Sequence, residues 1–594
     1  MALLTLVVLL ALFQFAQVHP AVAAVYGRLA DLPSRTFDFV IVGAGAAGNV
    51  LANRLTEHAN FNVLVLEAGG SNQDEVLTMV PFFCTRLSNT IYDWNYTTTP
   101  QPGLMGRSIA FPRGHVLGGS TSINGMFYSR GSFEDYDRYA KIAEDAAWSW
   151  KSIQRYNRRN EMFFPPADHH DTTGQYDPSF HSARGINSVS LPGYPQSINH
   201  RIIQTTQDLS EFSFNRDMNS GNSLGLGWLQ ATIKGGRRSS SATSYLGPKF
   251  ISRPNLHVLM NARVTRVLAM HHDRAFQTVE FLQGQQEQTQ LVHAQKEVIL
   301  SAGTIGTPHI LLNSGIGDRS ELSTLGIPST HHLPDVGKNL TDHPRLASNW
   351  FVRGNERTFD NINQNVTLAT ELLDQWEETQ TGPLVDTFAS HLFFARLPPN
   401  FSRLEHTNDP AAGPNSPHYE LGFSNGFVGL IPSTGTFIGI TTRVVSPTSR
   451  GSVKLKSNNP LDFPLIDPGL LATEFDISTM REAVKSAWRF LRAPAWKGYV
   501  LEPYGALANA TTDALLDDYI RSLTGTSAHC VGTAGMSARS AAHGVVDPDF
   551  KVKGLDGLRI VDASVLPFVP SAHTQAPVYI FAERAADVIK AAWR

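Results

Sequence analysis

Cysteine is nearly absent, with only Cys84 and Cys530 in 594 residues. That excludes a disulfide scaffold and a cysteine-rich zinc site, and two free thiols are expected. Charge of one sign is also lacking. Lys and Arg number 49 against 52 Asp and Glu, a formal net charge of -3. No basic surface recommends nucleic acid, and no polybasic run suits an anionic membrane. No internal repeat at solenoid periods occurs. The nearest approach to a metal cluster, His169-His170-Asp171, sits in the polar stretch Pro165 to Gln175 and reads as a solvated loop, so no metal is expected. What is present is a globular composition, 42% hydrophobic and 17% charged. At about 150 residues per domain this length gives roughly four units or two large ones.

Long apolar runs are missing but for one, Leu3 to Phe15. It is too short for a comfortable membrane span and is followed by Ala21-Val22-Ala23-Ala24, small residues of the kind signal peptidase accepts. Residues 1–24 therefore read as a signal peptide and the mature chain as secreted. Sequons at Asn95, Asn339, Asn365, Asn400 and Asn509 agree with that route. Asn95 and Asn339 lie near motifs expected to bury them, leaving Asn365, Asn400 and Asn509 as the better glycan acceptors.

The mature chain opens on a nucleotide motif. Phe37 to Val42 is a short β-branched and aromatic run, read as a buried strand, and Gly43-Ala44-Gly45-Ala46-Ala47-Gly48 follows at once. A helix-compatible stretch, Asn49 to Leu55, leads to a second strand, Asn62 to Leu66, ending in Glu67. Gly43 permits the tight turn, Gly45 lets backbone approach a pyrophosphate, and Gly48 lets helix and strand pack closely. The helix N-terminus offers free N–H groups to phosphate. Glu67, 19 residues beyond Gly48, suits ribose hydroxyls.

FAD and NAD share this fingerprint, and three further segments decide between them. Pro112 to Gly125 is dense in Gly, Ser and Thr and carries Arg113. Ser301 to Gly317 follows the apolar run Val298-Ile299-Leu300 and reads as strand, Gly-rich turn and helix. Near the C-terminus, Gly557 to Asp562 reads as a strand ending in an acid fit for a ribityl hydroxyl. His573-Thr574-Gln575-Ala576-Pro577 then opens an apolar helix, Val578 to Ala592. A helix starting near Thr574 aims its positive end at what lies before it, which favours a reduced flavin.

Together these segments resemble the glucose–methanol–choline (GMC) oxidoreductases from Phe37 to Arg594. Asp93 to Thr99, Gly106 to Ala110 and Gly544 to Asp562 are similar to those of secreted fungal aryl-alcohol oxidases. The resemblance implies an α/β fold: a Rossmann-like FAD-binding domain and a discontinuous substrate domain built on an antiparallel sheet. Segments 36–125, 231–335 and 544–594 would form the FAD domain, 336–543 the substrate domain, and 126–230 would serve both. The implied cofactor is FAD, contacted by Gly43, Gly45, Ala46, Gly48, Glu67, Trp94, Arg113, Val116, Gly119, Asn124, Val264, Ser301, Gly303, Asp562, Ala563, Thr574 and Gln575. Val264 would lie beside the adenine. Phe127, Phe423, Phe427 and Ala528 would meet the substrate.

The resemblance also implies the chemistry. A hydride leaves the alcohol carbon for the flavin, and a base takes the hydroxyl proton, work that suits histidine. His529 matches the family's base and His573 its second active-site residue. Covalent members carry histidine at the position of Ile123, so FAD should be non-covalent here. Aryl-alcohol oxidases carry aromatics at the positions of Gly125 and Ala528, so the pocket should be wider unless Phe127, Phe423 or Phe427 fills it. Pro398 to Pro417 reads as part of the entrance, and Gly235 to Ser241 as a junction between substrate and FAD segments. The leading expectation is a monomeric oxidase of a primary alcohol, aryl or allylic, giving an aldehyde and hydrogen peroxide. The alternatives are a sugar or alcohol dehydrogenase using quinones and a flavin-bearing hydroxynitrile lyase.

Overall fold

The computed structural model describes residues 24–593 apart from 74, 270–274, 285–287, 355–356 and 402–407. The expected signal peptide, but for Ala24, lies outside the described residues. Two sheets organise the chain. The first has eight strands, running Val25–Tyr26, Leu256–Leu259, Val63–Leu66, Thr36–Val42, Gln290–Leu300, Phe276–Gln283 and Ala262–Ala269, with Leu558–Ile560 also paired to Gln290–Leu300. Its first five strands are parallel. Val63–Leu66, Phe39–Val42 and the last three residues of Gln290–Leu300 are continuous, buried apolar runs, as expected of strands covered on both faces. Gln290–Leu300 is shared along its length: its first half pairs with Phe276–Gln283 and its last three residues with Leu558–Ile560. Three distant stretches of chain thus meet in one sheet.

The helices Ala46–Leu55 and Gln575–Ala592 pack together, and Arg54 joins the buried Glu583 at 2.8 Å. The first begins at Ala46, three residues before the sequence-based start, so its N-terminus opens directly on Gly45. A Cβ on Gly48 would lie 1.9 Å from the Gly43 carbonyl oxygen. Only glycine permits this helix to sit so close to the strand.

The second sheet is antiparallel and has seven strands, in the order Val500–Pro503, Pro344–Val352, Phe437–Val444, Tyr419–Ser424, Ala389–Ala395 and Gly225–Trp228, with Gly525–Thr526 added to Pro344–Val352. Alternate residues face opposite ways. Leu346, Leu421, Phe423 and Ile440 point outward into a core with Phe475, Ala483 and Phe490 of the helix Glu474–Leu491. Arg345, Ala347, Arg443 and Ser424 point inward to a cavity between the sheets. No described helix is long and apolar enough to cross a membrane. Both cysteines are free and buried.

Candidate active site

An elongated cavity of about 730 Å³ begins at Glu67, Ala262 and Val264, passes the Gly43–Ala47 turn and Ser301–Gly303, and ends at Asn124, His529, His573 and Thr574. It is built where strands end and helices begin. The helices Ala46–Leu55, Gly303–Asn313 and Gln575–Ala592 all present their first residues to it. Gly45 and Gly303 have no atom within 4 Å of a would-be Cβ, so backbone lies bare there. The Glu67 carboxylate accepts from the Ala44 and Gly69 amides, each at 2.8 Å, and keeps further lone pairs. Burial pushes it up to about 7 against those amides. A buried acid, a bare glycine turn with helix N-termini behind it, and a broad far end suit an extended dinucleotide in that order.

Most of the residues expected to meet cofactor or substrate line this cavity: Gly43, Gly45, Ala46, Glu67, Trp94, Arg113, Gly119, Asn124, Val264, Ser301, Gly303, Asp562, Ala563, Thr574, Gln575, Phe127, Phe427 and Ala528. Three do not. Gly48 lies behind the wall, in the close packing described above. Val116 is fully buried and bridges Gly70, backing the loop rather than facing the cavity. Phe423 is on the outer face of its strand, its ring 4.4 Å from Phe490, because the period of two puts Ser424 inward instead. Asp562 lines the cavity, but its carboxylate is engaged by the Gly303 amide, the Thr307 hydroxyl and the Ser564 amide at 2.6–2.9 Å. It caps the helix Gly303–Asn313 as well as facing the site.

At the far end His529 and His573 stand edge to face, with ring centroids 4.6 Å apart. The His529 loop is pinned from two sides. Its amide donates to Asp342 Oδ1 at 2.8 Å, and Arg113 Nη1 donates to the Ala528 carbonyl at 2.6 Å. Asp342 also accepts from the Thr526 hydroxyl. His529 Nδ1 meets His343 Nδ1 at 3.0 Å. His573 Nε2 meets Glu420 at 3.0 Å, and Glu420 also pairs with Arg443. Burial, then the neighbouring His573, His343 and Arg443, holds His529 well below its ordinary 6.5. Burial holds His343 at about 3. Burial alone would raise Glu420, but Arg443 and His573 bring it down to about 2. The site therefore sets two neutral imidazoles, one backed by a carboxylate, beside fixed cations.

Sequence reasoning missed His343, Glu420, Arg443, Arg345 and Phe388. Phe388 lies 3.5 Å from a would-be Cβ on Gly125 and 5.3 Å from Phe127, ring to ring. It occupies the side of the pocket where an aromatic was expected to be missing. Ala528 has φ +57°, in the left-handed region, so a bulky side chain there would be strained. No described residue of 398–417 lines the cavity; Gly426 to Ile431 do, with Leu430 97% exposed at the mouth. Asn95 and Asn339 are exposed rather than buried, as are Asn365, Asn400 and Asn509. Arg238, in the junction segment, is buried and donates to the Thr78, Thr121 and Asn124 carbonyls, tying the segments together. Among the described residues no group of three or more His, Cys, Asp or Glu is placed to hold a metal.

A parallel dinucleotide-type sheet, an antiparallel roof and a histidine pair at the end of the cavity define a flavin-type oxidoreductase. Residues 37–345 and 447–582 match the GMC oxidoreductase pattern, and the chain belongs to that family. It is 41% identical over 581 residues to dehydrogenase eriK of Hericium erinaceus, covering 96% of both chains. It is 40% identical over 602 residues to pyranose dehydrogenase 3 of Leucoagaricus meleagris, covering 98% of both. The structure of a fungal aryl-alcohol oxidase superposes with a TM-score of 0.80 at 26% identity, over 94% of this chain and 100% of that one. Family membership makes this chain an FAD-dependent oxidoreductase, and the bare turn, Glu67 and the three helix N-termini fit that cofactor.

Proposed function

We propose that this chain is a secreted enzyme that oxidises a primary alcohol to an aldehyde, with His529 as the base. The observation that carries the reading is the pairing of a half-buried, neutral His529 with the buried His573 at the end of the cavity. FAD, when bound, supplies the hydride acceptor. The chain's own part is to hold the hydroxyl and move its proton. Both His529 and His343 are neutral, so across their Nδ1–Nδ1 contact one ring donates and the other accepts. The base-competent arrangement has His529 donating, which leaves its Nε2 lone pair for the substrate proton. His573, held through Nε2 by Glu420, is oriented to contact the substrate oxygen. Arg113 and Arg443 favour negative charge developing on that oxygen.

The outer cavity supports an alcohol with an apolar body over a free sugar. Phe82, Phe359, Phe388, Phe427 and Leu430 line it. A sugar would shed hydration against these rings and regain hydrogen bonds only from the few polar groups among them, such as Thr85, Ser88, Asn363 and Ser424. The relatives named as dehydrogenases favour an acceptor other than oxygen, and the likeness to an aryl-alcohol oxidase favours O2 as a second reading. An anaerobic panel of alcohols and sugars tests the reaction by flavin bleaching. Peroxide yield against dye reduction then separates the acceptors. A flavin that no alcohol or sugar bleaches would remove the redox reading and leave a lyase.

Ile123 lines the cavity and offers no nucleophile, which supports dissociable FAD. Acid precipitation should leave yellow flavin in the supernatant, and flavin retained in the pellet would reject this. Phe388 should narrow the pocket in place of the missing aromatics. Phe388→Ala should lower kcat/KM for benzyl alcohol by about fivefold, the worth of roughly 1 kcal/mol of ring contact. A bulky alcohol should lose less. A ratio between the two alcohols within about twofold of the parent's would show that the channel is gated elsewhere.

A further inference from the structure

Among the described residues the cavity contains a cation, Arg345, to which no acid is hydrogen-bonded or ion-paired. Arg345 stands directly opposite Arg443 on one side and Gly525 on the other. Arg443 in turn stands opposite Glu420. Residues opposite one another across antiparallel strands share a face, so Arg345, Arg443 and Glu420 form one inward row. The single carboxylate of that row is taken up by Arg443 and His573. Among the described residues no hydrogen bond or ion pair to the Arg345 guanidinium is present. The nearby Asp342 is committed to the Thr526 hydroxyl and to the His343 and His529 amides. Beside it, Arg443 Nε is buried without a hydrogen-bond partner. Burial and the Arg443 charge, against the Asp342 carboxylate, bring Arg345 down to about 10, which leaves it cationic at neutral pH.

A guanidinium is a planar fork of donors whose natural complement is a carboxylate held by two parallel hydrogen bonds. A half-buried one that lines a cavity with no acceptor is an open valence for an anion. We propose that Arg345 binds a carboxylate on the substrate, so that the alcohol oxidised here carries an acidic group on its apolar body. This rests on the reading of the cavity as an alcohol-oxidising site. The competing role for Arg345 is general stabilisation of the developing alkoxide, which would serve every alcohol alike.

Binding without turnover is the first test. The oxidised holoenzyme is titrated with benzoate and with benzamide, its neutral near-isostere, and the flavin absorption is followed. Benzoate should bind at least about tenfold more tightly, a difference of 1.4 kcal/mol. That preference should shrink to about twofold or less in Arg345→Met and be partly kept in Arg345→Lys, which retains the charge without the fork. Equal affinity for the two probes in the unmodified holoenzyme overturns the proposal, whether or not the variants fold. Turnover is the second test, with 4-(hydroxymethyl)benzoate against benzyl alcohol. The ratio of their kcat/KM values should favour the acid by about tenfold and fall by at least that factor in Arg345→Met, chiefly through KM. Equal losses for both alcohols overturn the proposal in favour of alkoxide stabilisation. If neither alcohol bleaches the flavin while benzoate still binds through Arg345, the anion site stands and the alcohol reading fails.

Discussion

His529→Ala should keep its flavin spectrum and reduce with alcohol about 10²–10⁴-fold more slowly, the usual worth of a general base. The expectation follows from position and ionisation together. The imidazole is half-buried beside His573 and His343, and their fields with those of Arg443 and Arg113 add to desolvation in keeping it unprotonated. A base held below its ordinary pKa keeps its lone pair in acid. The acidic limb of kcat/KM should therefore fall below pH 6.5, the ordinary histidine value, and not at it. The limb should vanish in His529→Ala along with the rate. His573→Ala should also be impaired, and His573→Asn less so, because an amide keeps a polar group beside the substrate oxygen. Stopped-flow reduction under argon measures the chemical step apart from reoxidation. Near-normal reduction of His529→Ala would remove this residue from the mechanism.

The parts of this site that were legible in the sequence are those written locally. Strand, glycine turn, helix and acid fall within Phe37–Glu67, where a change of period from strand to helix carries the information. Both histidines lie in recognisable C-terminal segments. What escaped was set by strand pairing across long separations. Glu420 meets His573 across 153 residues, and His343 meets His529 across 186. No local pattern announces either contact. Phe423 shows the same limit from the other side. Its neighbourhood was right, but one step along a strand turns a side chain to the opposite face. A signal was available for Arg345: in Pro344–Val352 the positions Arg345, Ala347 and Asn349 alternate with Leu346, Ser348 and Trp350. The alternation marks a face that does not enter the apolar core, but not the cavity that face borders.

Glu161→Ala should destabilise the holoenzyme by about 3–5 kcal/mol, the usual cost of removing one partner from a buried ionic group. Glu161 is fully buried between two cations. Arg130 Nη2 approaches one of its oxygens at 2.5 Å and His181 Nδ1 the other at 2.8 Å. His181 Nε2 meets Asp217 at 2.7 Å. The chain closes on two positive and two negative groups, and it fastens the end of the helix Trp150–Asn160 to the loops at 181 and 217. Alanine would leave Arg130 without its carboxylate and His181 with one acid instead of two. Burial works against both charges, yet the carboxylates raise His181 above 6.5, and Arg130 with His181 lowers Glu161 to about 2. The signs of these shifts set a pH window. The His181 contribution is fully present below 6.5 and is lost as pH rises through its folded value. The Glu161 contribution is present above 4.5 and is lost as pH falls towards about 2. The deficit of the variant should thus be largest between these limits and shrink on either side. Urea unfolding of parent and variant holoenzyme at several pH values measures it, with Asp31→Ala as a surface control. The Arg28–Asp31 pair is solvent-exposed and should matter little. If Glu161→Ala falls within about 1 kcal/mol of the parent throughout the window, the network is a by-product of packing and contributes nothing to holding these elements together.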